Sequence, residues 1–92
     1  LMGDLNCNPK SVPISTIKES LFDGKEISEE PLNGPIGTFS AFDLKASLEN
    51  RIDYIFVNNF KVLSYAHITD KLPNGNWPSD HLPVLAKLQI NK

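Results

Sequence analysis

Cysteine is nearly absent: Cys7 is the only one among 92 residues, so no intrachain disulfide forms and the redox compartment stays unread. As a small residue following an apolar run it reads as structural, because a reactive thiol needs a positive microenvironment. No stretch is long and apolar enough to cross a membrane. Nor does charge of one sign accumulate. Nine Lys and Arg against eleven Asp and Glu leave a net charge of −2, mixed along the chain. With no basic run to track phosphates, nothing in the composition supports tight, non-specific nucleic-acid binding. An enzyme that meets one phosphate in a pocket needs no such run. Neither an internal repeat nor a domain boundary is visible, so residues 1–92 read as one small domain or a piece of a larger one. At 40% apolar and 22% charged residues the chain is an ordinary globular one, with a marginal core for its length.

Leu1 to Leu5 reads as a buried strand closed by the turn formers Asn6-Cys7-Asn8-Pro9. Its abrupt start implies a strand already under way, with a natural start or targeting segment expected upstream. Ser11 caps and Pro13 opens a helix in which Ile14, Ile17, Leu21 and Phe22 share one face, ending near Asp23-Gly24. Lys25 to Phe42 is loop-like, and a connection that long is expected to be functional or ordered by something else. Arg51 to Val57 is the clearest strand. Asn58-Asn59 turns it into Phe60 to Ile68, which predicts a hairpin. Asp70 to Asp80 is a polar loop, and Leu82 to Ile90 alternates as a half-buried last strand.

The informative residues are polar ones that a core rejects. Asp53 falls on the same strand face as Ile55 and Val57. An unpaired carboxylate there costs several kcal/mol, on the order of the penalty for any buried unpaired polar group, so it needs a partner or neutralises. The plainer alternative is a rim Asp facing solvent or bonding Arg51. His81, after Asp80 at the mouth of the last strand, suits a general acid or base, a metal ligand or a phosphate donor, or else an exposed turn histidine. Asp4 and Asn6 end the first strand, where turn residues are also ordinary. All lie at strand ends, where sheet proteins gather side chains around a ligand. Spacing permits an Asp53–His81 couple without establishing it. His67 reads as a structural surface histidine, and Lys71 beside Asp70 as a solvated pair. Phe39, Phe42 and Trp77 lie in loops, either stacking on a leaving group or anchoring those loops on the core.

Taken in order, Gly3-Asp4-Leu5-Asn6, Arg51-Ile52-Asp53-Tyr54-Ile55-Phe56 and Ser79-Asp80-His81-Leu82-Pro83-Val84 resemble three C-terminal motifs of the endonuclease/exonuclease/phosphatase superfamily. Gly34-Pro35-Ile36-Gly37-Thr38-Phe39 resembles a further segment of its bacterial and deadenylase-like members. The resemblance implies an α+β fold: the C-terminal half of a DNase I-like four-layer α/β/β/α sandwich, mostly antiparallel strands with one helix. It implies phosphodiester or phosphomonoester hydrolysis by in-line attack of water, needing an aimed water, a cation and fixed donors. Asp4 would orient or deprotonate the water, and Asn6 would hold a phosphate oxygen. His81 would contact the scissile phosphate, Asp53 would orient His81 and keep it protonated, and Asp80 would sit beside Mg²⁺ or Mn²⁺. Phe39 and Trp77 would flank the substrate, whether nucleic acid, sugar or inositol phosphate, or phospholipid headgroup.

The resemblance also implies an N-terminal half supplying the principal metal-binding Glu, a metal-holding Asn and a second catalytic His. No segment of 1–92 corresponds to these. Glu19, Glu26, Glu29, Glu30 and Glu49 lie between the C-terminal motifs and take none of those roles. The expectation is therefore a C-terminal fragment that pairs with its N-terminal half or with itself, and is inactive alone. The alternatives are a non-catalytic module derived from the same fold and a free-standing binding domain.

Overall fold

At the centre of the fold is strand β3 (Asp53–Val57), dense in Tyr, Ile, Phe and Val; the computed structural model describes residues 1–45 and 48–90. Both edges of β3 are occupied. On one side β1 (Met2–Asp4) runs antiparallel, pairing Met2 with Ile55, Gly3 with Tyr54 and Asp4 with Asp53. On the other, the short β2 (Phe22–Asp23) pairs Phe22 with Val57 and Asp23 with Phe56. A second sheet joins β4 (Phe60–His67) to β5 (Val84–Ile90), antiparallel, with a bulge between Val62 and Ser64. The architecture is mixed α and β with mostly antiparallel strands.

Alternation along β3 divides the core. Tyr54 and Phe56 pack with Ile14 of helix α1 (Val12–Ile17), flanked by Leu5, Cys7, Ile17 and Leu21. Val57 packs with Val62 and Tyr65 of β4, flanked by Ile55, Leu32, Val84 and Ala86. Each large apolar side chain buried this way contributes roughly 1.5–3 kcal/mol. The Tyr54 hydroxyl donates to Cys7 O at 2.6 Å, and burial pushes its pKa up to about 12, so it remains a donor.

Several expectations are corrected. The Asn58-Asn59 turn does not close a hairpin: with both edges of β3 filled, it passes the chain to the second sheet, where β4 finds β5. The helix also ends sooner, at Ile17. Its last turn tightens as Glu19 and Ser20 N–H donate three residues back, and Phe22 and Asp23 then join the sheet. Asp23-Gly24 is a start rather than a stop. Asp23 caps a second short helix, α2 (Gly24–Ile27), through Lys25 N–H, so the described residues hold two helices where one was expected. Gly24 is required there, since a Cβ would lie 2.9 Å from both Ile55 O and the Tyr65 ring.

Asp23 has a second task. Arg51 reaches it through both terminal nitrogens at 2.5 and 2.6 Å, fully buried, with the guanidinium 4.4 Å from the centre of the Tyr54 ring. Arg51 therefore pairs with Asp23 and not with Asp53. His67 is likewise buried rather than at the surface. Its Nδ1 lies 2.7 Å from Pro35 O, and burial lowers its pKa, so it is a neutral donor.

Candidate active site

β1 delivers Asp4 to the end of the ladder, directly opposite Asp53. The next turn is fixed by that carboxylate, because Asn6 N–H donates to Asp4 Oδ1 at 2.8 Å. Asn6 itself takes a left-handed φ of 54°, which asparagine tolerates better than most residues. Two carboxylates facing each other across a ladder repel, so something cationic belongs between them.

His81 fills that place. Its Nδ1 lies 2.8 Å from Asp53 Oδ2, which supplies the partner that a half-buried strand carboxylate needs. Its Nε2 stands 3.7 Å from Asp4 Oδ2 and 3.9 Å from Asp80 Oδ1. Both separations exceed a hydrogen bond yet are short enough for electrostatic attraction, screened by solvent at these exposed carboxylates. The hydrogen bond to Asp53 raises the His81 pKa, burial opposes it, and the charges of Asp53, Asp4 and Asp80 add to the rise. With Nδ1–H donating to Asp53, Nε2 is the ring atom left to meet a ligand.

Ligand atoms of Asp4, Asp53 and His81 lie within 4.8 Å of one another, close enough to hold a metal ion. Asp53 is engaged with the imidazole, whereas Asp4 and Asp80 keep 45% and 42% of their side-chain surface exposed. One or two accessible carboxylates with room for water is the donor set that Mg²⁺ accepts. The residues present therefore fit such a cation.

Of the aromatic residues, Phe39 is at the site. It bridges to His81 through the backbone, and its ring meets the imidazole edge-on, with centres 5.2 Å apart. Trp77 is buried, with its indole N–H donating to Asp43 O at 3.3 Å and Lys71 lying 4.8 Å from the ring centre. That geometry anchors loops, and it places Lys71 over an aromatic face rather than in a pair with Asp70. Phe42 is exposed.

Sequence reasoning missed Thr38 and Ser40, both buried. Thr38 Oγ1 accepts from Ile52 N–H at 3.1 Å and Asp53 N–H at 3.2 Å. Ser40 donates its N–H and its hydroxyl to Asp80 O at 2.7 and 3.1 Å. The one signal was for Thr38, which falls inside the Gly34-to-Phe39 segment; Ser40 lies just beyond it.

Known structures share this arrangement of elements. A functionally unknown conserved protein from Enterococcus faecalis is 33% identical over 99% of this chain, with a TM-score of 0.89. An endonuclease/exonuclease/phosphatase from Bacteroides vulgatus is 26% identical over 98% of it (TM-score 0.83). A mannosyl-6-phosphatase from Bacteroides thetaiotaomicron is 32% identical, also over 98% (TM-score 0.83). The chain covers 36%, 35% and 37% of these three structures, about a third of their length. No curated protein matches it. The shared fold is the DNase I-like one, a phosphoesterase-type fold. Residues 1–81 match the model of the endonuclease/exonuclease/phosphatase family, and the chain belongs to that family.

Proposed function

We propose that the chain carries part of the active site of a divalent-metal-dependent phosphoester hydrolase. The supporting observation is the gathering of three carboxylates, from Asp4, Asp53 and Asp80, around the single imidazole of His81. Even with His81 protonated, that group keeps an excess of negative charge, which favours a bound cation. Family members are generally divalent-metal dependent, in keeping with this donor set.

In this reading Asp4 aims the attacking water and accepts its proton, while Asn6 holds a phosphate oxygen. Asp53 fixes the His81 tautomer and favours its protonated form. His81 Nε2–H donates to a phosphoryl oxygen where charge develops. Asp80, helped by Asp4, holds Mg²⁺ or Mn²⁺. When bound, the cation screens the phosphoryl charge and makes a nearby water more acidic. The water oxygen forms a bond to phosphorus, the ester P–O bond breaks, and the leaving oxygen takes a proton from solvent water to depart as the alcohol. Phe39 borders the leaving group, whereas the burial of Trp77 supports loop anchoring for that residue.

The principal metal ligand lies outside residues 1–92 in this proposal, in keeping with the third of its neighbours' length that the chain spans. Leu1, Met2, Phe22 and Ile90 are each exposed, apolar surface that the rest of a domain or a second copy would cover. Among nucleic acid, sugar or inositol phosphate and phospholipid headgroups, the mannosyl-6-phosphatase neighbour favours a sugar phosphate.

A chimera tests the proposal. Residues 1–92 replace the equivalent third of the mannosyl-6-phosphatase, and p-nitrophenyl phosphate and bis-p-nitrophenyl phosphate are offered with Mg²⁺. Hydrolysis of either ester that stops on chelation supports the reading. A folded chimera inert on both contradicts it.

A further inference from the structure

The segment between Asn33 and Ser40 touches β4, the start of β3 and the 80–82 segment. Asn33 and Ala66 bridge in parallel, and Gly34 packs so closely on the His67 backbone, at a φ of +110°, that a Cβ would collide with His67 O. Pro35 O lies 2.7 Å from His67 Nδ1. Gly37 N–H and Thr38 N–H then donate to Leu48 O and Asn50 O at 2.6 and 2.8 Å. The segment is thus tied down at Asn33–Pro35 and again at Gly37–Thr38 before it reaches the site.

Thr38 is where the two halves of the Asp53–His81 couple meet. Its hydroxyl oxygen receives the N–H groups of Ile52 and Asp53, at the start of β3. Its carbonyl receives Leu82 N–H at 2.6 Å, one residue beyond His81. Ser40 repeats the arrangement one step on, donating twice to Asp80 O. β3 and the 80–82 segment are not adjacent strands, so no ladder sets the distance between Asp53 and His81.

We infer that Thr38 is the positioning residue of this site: one buried residue whose side-chain hydroxyl fixes the backbone at Ile52 and Asp53 while its backbone carbonyl holds Leu82, next to His81, setting the 2.8 Å contact between Asp53 and His81. The inference rests on the reading of Asp53 and His81 as a working couple. Removing the hydroxyl at constant shape frees two N–H groups beside Asp53 and loosens the register of the pair. Serine keeps the oxygen and preserves the register.

The tautomer of His81 reads this out. Free imidazole favours a proton on Nε2, and a carboxylate at Nδ1 reverses that preference. Long-range proton–nitrogen spectra of the full chain, recorded at alkaline pH where the ring is neutral, report which nitrogen carries the proton. The expected result is an Nδ1–H ring in the wild type and in Thr38→Ser, and a mixture of tautomers in a folded Thr38→Val. His67, held on Pro35 O, stays Nδ1–H in wild type and Thr38→Ser and serves as an internal reference. A folded Thr38→Val that keeps the pure Nδ1–H form overturns the positioning role and leaves the proposed function intact. A Thr38→Val chain that loses its dispersed spectrum assigns Thr38 to folding and also overturns the role. If the wild type already shows the free-imidazole mixture, the couple itself is wrong, and the proposed function fails with it.

Discussion

Asp4 and Asp53 are register partners across the β1–β3 ladder, two carboxylates set opposite one another at the end where the ladder opens. Like charges in that position destabilise a sheet. They are tolerated because His81 sits between them, 2.8 Å from one and 3.7 Å from the other. A strand pair that accepts such repulsion must recover the stability through the imidazole or through a bound cation.

The first prediction concerns Asp53→Asn. The largest cause of the raised His81 pKa is the Asp53 hydrogen bond, so the variant titrates closer to the ordinary histidine value. A group whose folded pKa is raised adds stability below its unfolded pKa, and that stability is lost as pH rises through the folded value. The stability deficit of Asp53→Asn is therefore largest just below the reference histidine pKa of about 6.5 and shrinks above the raised folded value. Proton NMR of the His81 ring, with urea midpoints across pH, checks both. An unchanged His81 titration contradicts the prediction.

His67 has the opposite sign. Burial lowers its pKa, so below the reference value of about 6.5 the unfolded chain takes up a proton that the folded chain refuses, and acidification destabilises the fold. His67→Gln removes this contribution. The variant's stability is expected to fall less steeply than wild type as pH drops from neutral toward the lowered folded value, read as urea midpoints at each pH.

How far the sequence disclosed these features depended on the kind of interaction. Asp53 was legible because a carboxylate on an apolar strand face requires a partner, and alternation gave the face. Asp4, Asn6, Asp80 and His81 stood out by lying at strand ends. Strand identity is a local property, and β1, β3, β4 and β5 were all anticipated, although β1, expected to be buried, is exposed along its length. Pairing is not local, and so β4 went to β5 although the Asn58-Asn59 turn suggested a hairpin. Asp23 read as a helix stop because its buried partner, Arg51, lies 28 positions away. Thr38 and Ser40 act through backbone N–H and carbonyl groups, for which no residue type is diagnostic.

The buried Arg51–Asp23 pair yields a stability prediction. Arg51→Met leaves an uncompensated carboxylate inside and is expected to cost about 3–5 kcal/mol in urea denaturation. Arg51→Met with Asp23→Leu removes both charges and is expected to cost clearly less than the single change. Additive losses in the double variant contradict the pairing as the source.

Metal binding is expected at the exposed carboxylates. Mn²⁺ added to the chain should broaden the NMR signals of Asp4, Asp80 and His81 first, and Mg²⁺ in excess should restore them. Asp80→Asn is expected to raise the Mn²⁺ concentration needed several-fold. Broadening centred on Glu29 and Glu30 instead would place the ion elsewhere.

The most direct measurement is kcat/KM for His81→Ala in the phosphatase chimera bearing residues 1–92. Loss of a charged donor to the transition state is expected to lower it by roughly 10²–10³-fold, with the fold and the melting profile retained. A folded His81→Ala chimera hydrolysing its ester at the parent rate would contradict a role for this imidazole in the chemistry.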